Sequence, residues 1–181
     1  GLDTSMREQI REETLHVLKR SGVATMMVTH DPEEAMYMAD RIKILGNGQI
    51  LQSGRPHDIY FHPQHRFVAK MFGLMNRFEC VVDGGSVEIP LGRVLAHGLE
   101  EGQRVEVLVR PEGVILKNNG GGVPVKVQST HLLGHDNIVR VRLTDEAPCL
   151  QGQSELYVRV HHAFEPELSK RITAGVDPDY V

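Results

Sequence analysis

An α/β segment followed by an all-β domain is the fold class the sequence predicts, and three observations carry it. The apolar run from Val23 to Val28 gives way to a polar turn and then to a helical pattern reaching about Asp40, after which a second apolar run begins at Arg41, an order of strand, turn, helix, strand. Composition shifts near Gly73, and beyond it the chain becomes a series of short β-type runs punctuated by glycine. Charge divides at the same place. Residues 1–72 hold nine Lys+Arg and nine Asp+Glu, whereas residues 73–181 hold eleven and fifteen, so the second part carries the whole net charge of −4.

The first element is a helix with Met6, Ile10, Val17 and Leu18 at helical spacing, Thr4 or Ser5 as its cap and Gly22 as its stop. The Val23 to Val28 run is continuous, the pattern of a strand covered on both faces of a parallel sheet, and Met26, Met27, Met36 and Met38 are expected to fill gaps in the core. Asp31 caps the next helix, Pro32 sits where no N–H is needed, Glu34 completes a capping box and Glu33 faces the positive end of the dipole. His30 then lies between the C-terminal end of a strand and the start of a helix. In open α/β sheets that crevice is where ligands bind.

Two apolar segments, Arg41 to Leu45 and Ile50 to Gln52, flank Gly46-Asn47-Gly48-Gln49 and predict a hairpin, because Asn-Gly tolerates positive φ. Pro56 and Pro63 read as first-turn residues of two short helices, the second ending at Gly73. Strands are expected at 77–82, 86–89, 104–109, 114–116, 123–127, 137–143 and 155–160, a spacing that suits a barrel or a sandwich. Asn118 to Gly122 is a loop tip or connector.

Hydrophobic residues make up 40% of the 181 and charged residues 24%, and no apolar run approaches the roughly 20 residues of a membrane span. Cys80 and Cys149 are far apart, with no second pair to build a disulfide framework or a metal knuckle; a reducing cytosol is the simplest setting. The acidic balance, with five Phe and four Tyr, argues against nucleic acid, which asks for a cationic groove with stacking rings.

Val28-Thr29-His30-Asp31, then Glu33-Glu34-Ala35 and Ala39-Asp40-Arg41-Ile42, resemble the H-loop region of ABC-transporter ATPases. His30 matches the switch histidine, which in that family contacts the γ-phosphate of the nucleotide. A lone histidine in a turn is more often only hydrogen-bonded there; the whole matched run favours the switch. Leu2-Asp3 resembles the D-loop, which makes Asp3 a subunit-interface residue by the same likeness. No G-x-x-x-x-G-K-[ST] occurs in the sequence, nor the serine-glycine-glycine signature, nor an apolar strand ending in Asp-Glu. The expectation is therefore that residues 1–72 are the C-terminal part of a nucleotide-binding domain, that ATP and Mg²⁺ belong to a longer subunit, and that this fragment alone holds neither and does not hydrolyse ATP.

Residues 73–181 are similar in turn to the TOBE module, an oligonucleotide-binding-type (OB-like) barrel fused to import ATPases, through Gly73-Leu74-Met75-Asn76, Arg110-Pro111-Glu112 and Leu133-Gly134. The two resemblances imply the ATP-hydrolysing subunit of a bacterial importer with a regulatory and dimerising domain. Its partners would be a second copy of itself and membrane permease subunits, without nucleic acid, at the cytoplasmic face of the cell membrane. The relatively short second domain and the run Gly73 to Arg77 look most like ferric-iron importers, with polyamine, sulfate and sugar importers close behind. Arg110 and Glu112 are expected to fix the geometry of the domain.

The competing reading is a stand-alone module in which the barrel binds a small oxyanion and residues 1–72 form a docking arm. Other histidines offer less. His57, His62 and His65 give no closed ligand set, His131 and His135 are separated by Gly134 with only Asp136 nearby, and His161 and His162 point to opposite faces of a strand.

Overall fold

The structure, a computed structural model, describes residues 4–117, 121–144, 154–161 and 172–181. Two compact units divide the chain, Gly1–Phe72 and Gly73–Val181.

In the first unit, helix α1 spans Thr4–Ser21 and stops at Gly22, whose φ of 63° suits the left-handed residue that ends a helix. Thr4 and Ser5 both lie inside α1, so neither is its cap. The 23–28 run forms no ladder, a correction to the expected strand. Met26 and Val28 are each 90% exposed, and Met27 too is exposed, so these side chains fill no core here. A strand exists only by its partner's hydrogen bonds, and among the described residues none is supplied.

Helix α2 (Pro32–Met38) follows, then strands β1 (Ile42–Gly46) and β2 (Gln49–Gly54), helix α3 (Pro56–Phe61) and helix α4 (Arg66–Met71). The β1–β2 hairpin turns on Asn47 and Gly48 at φ 50° and 75°, the two positive values that a two-residue turn of this type requires. Ile42, Ile44, Ile59 and Val68 make the core of the unit, with Ala35, Met36 and Ala39 of α2 packed against it. Pro56 opens α3 as predicted, whereas Pro63 lies outside α4. The buried Gln52 accounts for that. Its side chain donates to the His62 carbonyl (2.9 Å) and accepts from the Gln64 N–H (2.8 Å), fixing the chain around Pro63 as a turn.

The second unit is all-β, as expected. Its strands are β3 (Asn76–Val81), β4 (Ser86–Ile89), β5 (Gly92–Leu95), β6 (Arg104–Val109), β7 (Val114–Lys117), β8 (Val123–Leu132), β9 (Asp136–Leu143), β10 (Glu155–His161) and β11 (Ile172–Val176). They form a five-stranded antiparallel sheet in the order β10-β9-β8-β11-β7, with two-stranded ladders β3-β6 and β4-β5. All three share one core that includes Phe78, Ile89, Val109, Val139, Val141, Leu156 and Val158. Alternation makes this possible. In β9 the buried Val139, Val141 and Leu143 alternate with exposed Arg140 and Arg142, the period-2 pattern of a half-buried strand.

Strands β5 and β11 were not expected. Ala174 of β11 is fully buried, and a Cβ on Gly122 would stand 2.5 Å from the Ala174 carbonyl oxygen. Gly122, at φ 126°, lets the two backbones meet that closely. Arg110, 4% exposed, precedes a 3-10 turn, Pro111–Gly113, in which Glu112 pairs with Arg159 of β10 at 3.1 Å.

Candidate functional site

The turn before α2 is built from local hydrogen bonds. Asp31 is the N-cap in extended conformation, and its Oδ1 accepts from the backbone N–H groups of Glu33 (2.9 Å) and Glu34 (3.2 Å), while its carbonyl accepts from Ala35 (3.1 Å). These are the donors a helix start leaves without intrahelical partners. Pro32 occupies the first helical position, and Glu33 and Glu34 lie in the first turn.

The capping box predicted for Glu34 takes a different form. A Glu at that position ordinarily reaches back to the N–H of the cap residue. Here the Asp31 N–H donates instead to Thr29 Oγ1 (3.1 Å), and that hydroxyl donates to Glu34 Oε2 (2.5 Å). Thr29 stands between the two ends of the box. It is half-buried, as are Asp31 and Glu34, whereas His30 between them is exposed. Among the described residues the His30 imidazole has neither a hydrogen bond nor an ion pair.

Asp3 lies outside the described residues, as do Cys149 and His162. No group of three metal-ligating side chains is found among the described residues. Nor does the sequence contain a G-x-x-x-x-G-K-[ST] phosphate loop, so the residues present do not fit a complete Mg²⁺–nucleotide site. His57, which stacks on Phe61 with centroids 4.6 Å apart, and His62 are exposed on and just after α3, and the exposed His65 is the N-cap residue of α4. His131 and His135 fall on β8 and in its hairpin loop.

Three residues that hold the scaffold escaped the sequence reading: Thr29, Gln52 and Asn76. Each is a polar side chain in or beside an apolar run, and Thr29 and Asn76 also stand in the runs quoted for the two resemblances, which assign them no structural role. Asn76 is fully buried, with Nδ2 donating to the Tyr157 carbonyl and Oδ1 accepting from the Tyr157 N–H, both at 2.8 Å. On the outer face of the sheet, Glu155 lies 2.7 Å from Arg142 and 3.7 Å from Arg140. The hydrogen bond from Arg142 holds the Glu155 carboxyl below its ordinary range; burial opposes this, and the charges of Arg140 and Arg142 add to the lowering.

No family model matches the chain. Among curated proteins it is 38% identical over 80% of its length to the spermidine/putrescine import ATP-binding protein PotA 1 of Pseudomonas aeruginosa, covering 42% of that protein. It is 33% identical over 92% of its length to the sn-glycerol-3-phosphate import ATP-binding protein UgpC of Salmonella typhimurium, covering 47% of it. With the sulfate/thiosulfate import ATP-binding protein CysA 2 of Chromobacterium violaceum it shares 42% identity over 65% of its length, covering 32% of that protein. The chain thus spans less than half the length of each of these relatives.

Proposed function

The chain is homologous along most of its length to the ATP-binding subunits of ABC importers, and from that premise we propose that it forms the C-terminal part of such a subunit, with His30 as the switch histidine. Residues 1–72 are then the end of a nucleotide-binding domain and residues 73–181 a TOBE-type regulatory domain. The observation that carries the reading is the Thr29-His30-Asp31 turn, which holds its neighbours by hydrogen bonds and leaves the imidazole exposed.

ATP and Mg²⁺ would be held by residues of the longer protein, and the bound nucleotide would supply the phosphoryl group. This chain contributes one side chain toward it, and catalysis of such transfer is mainly positioning and charge stabilisation. Asp3 would lie at the interface with a second copy of the subunit. Permease subunits would hold the pair at the cytoplasmic face of the membrane; no helix among the described residues is long and apolar enough to cross it.

The relatives named above are import ATP-binding proteins for spermidine/putrescine, sn-glycerol-3-phosphate and sulfate/thiosulfate, three unlike chemistries at comparable identity. We take ferric iron as the solute on the likeness of the short second domain and of Gly73-Leu74-Met75-Asn76-Arg77. Loss of ferric-iron uptake when the gene is deleted is expected, and loss of polyamine or sulfate uptake in its place overturns that assignment.

The ATPase reading is tested in the intact subunit. His30→Ala should leave ATP binding nearly unchanged and lower hydrolysis at least about tenfold, roughly 1.4 kcal/mol of transition-state stabilisation. Parental turnover in that variant would remove His30 from the mechanism.

A further inference from the structure

We infer that Thr29 is a positioning residue for His30, acting through a hydroxyl held between the Asp31 amide and the Glu34 carboxylate. The inference rests on the reading of His30 as the side chain that meets the nucleotide. In the observed turn, the Thr29 hydroxyl accepts from Asp31 N–H on one side of His30 and donates to Glu34 across it. Being β-branched, threonine has few χ1 choices, so fixing Oγ1 also fixes the backbone at position 29.

The other flank is fixed independently. Asp31 Oδ1 takes the amides of Glu33 and Glu34, and α2 is anchored by Ala35, Met36 and Ala39 against the Ile42, Ile44, Ile59 and Val68 cluster. His30 is therefore the residue of the turn whose backbone is held on both sides while its side chain stays exposed. Such an arrangement preserves the imidazole's hydrogen-bonding capacity for a group that arrives later. It also limits where the ring can be, which is what an oriented contact requires.

A helix cap with no part in positioning would make a different prediction. Losing it would lower stability but leave turnover per folded molecule unchanged. Thr29→Val keeps the branched shape and removes both hydrogen bonds, while Thr29→Ser restores the hydroxyl.

Two measurements test the inference. In the 181-residue chain, hydrogen exchange of the Asp31 amide should quicken at least about tenfold in Thr29→Val and return to within about twofold in Thr29→Ser, with the amides of Val139 and Val141 unchanged. In the intact subunit, Thr29→Val should lower kcat about tenfold with KM for ATP held within about twofold, and Thr29→Ser should recover most of the loss. The double variant Thr29→Val/His30→Ala should be no slower than His30→Ala alone, because the hydroxyl acts through that ring. Parental kcat in Thr29→Val beside a slow His30→Ala overturns the positioning role and leaves the His30 reading standing. Parental kcat in His30→Ala overturns that reading itself. Additive losses in the double variant would show that Thr29 works independently of His30.

Discussion

Asn76 gives Tyr157 the two hydrogen bonds that a neighbouring strand would otherwise provide. Strand β10 is an edge of the five-stranded sheet, and the outward N–H and C=O of Tyr157 would lack partners there. The amide side chain of Asn76 meets both at 2.8 Å from a position 81 residues earlier, with no exposure to solvent. It ties the β3-β6 ladder to the main sheet and leaves this stretch of edge closed to pairing with another chain.

Removing that amide should be costly. Asn76→Ala strands a buried donor and a buried acceptor, each costing about 1–3 kcal/mol, so about 2–6 kcal/mol of destabilisation is expected. Asn76→Asp keeps the acceptor, loses the donor and buries a charge, and should be no better. Urea denaturation followed by the signal of the all-β unit checks this. A loss below about 1 kcal/mol in the alanine variant would mean that water takes the place of the amide.

The cross-strand cluster on β9 and β10 predicts a pH dependence. The pKa of Glu155 is lowered in the folded chain, first by its hydrogen bond from Arg142. A carboxyl whose folded pKa is depressed contributes stability above its unfolded value, near 4.5, and loses it as pH falls through the folded value. The difference in urea midpoint between the parent and Glu155→Gln should therefore be steady from pH 7 to about pH 5 and shrink below that. Salt should shrink it too, because both partners are partly exposed. A difference that grows on acidification would show that the carboxyl is not held in its charged form.

Local chemistry was legible in the sequence wherever a residue type has one dominant use. Asp31-Pro32 marks a helix start and Asn47-Gly48 a hairpin, and both stand where the sequence places them. Alternation marks β6 and β9 because each buries one face. Strand β5 has only Val94 as a strong former, and in β11 Ala174 and Gly175 break the run between Ile172-Thr173 and Val176, so the propensity signal of each is short. Strand β5 is held by a local hairpin with β4, whereas β11 pairs at long range with β7 and β8, where Gly122 lets the backbone approach Ala174 closely. Thr29 was hidden for a related reason. The capping-box pattern names Glu34 and the cap residue, and only the geometry reveals the hydroxyl between them.

The same dependence on partners explains the Val23 to Val28 run and leads to the last prediction. Its composition is that of a buried strand, yet Val23 is 64% exposed, and Met26 and Val28 are each 90% exposed. Helix α1 adds to this surface. Met6, Ile10 and Val17 are 50%, 47% and 63% exposed. At about 100° per residue they fall within about 40° of one another around the helix, a single apolar stripe. The half-buried Leu15 and Leu18 lie on the other side of α1.

Exposed apolar patches beyond about 300–600 Å² are uncommon on monomers, and an extended segment with free backbone groups is a pairing template. Burying about 1,000 Å² of this surface would contribute roughly 25 kcal/mol before association and ordering costs. The 181-residue chain on its own should therefore self-associate through residues 1–72, as a dimer in which those segments pack together or exchange. Met26→Lys/Val28→Lys should weaken it by placing charge in the contact, while Leu132→Lys, an exposed site in the other unit, should not. Sedimentation velocity over about a hundredfold range of concentration reads the outcome. A monomer throughout, with residues 1–72 well protected from hydrogen exchange, would show that this unit is stable without a partner and that the exposed run is no pairing surface.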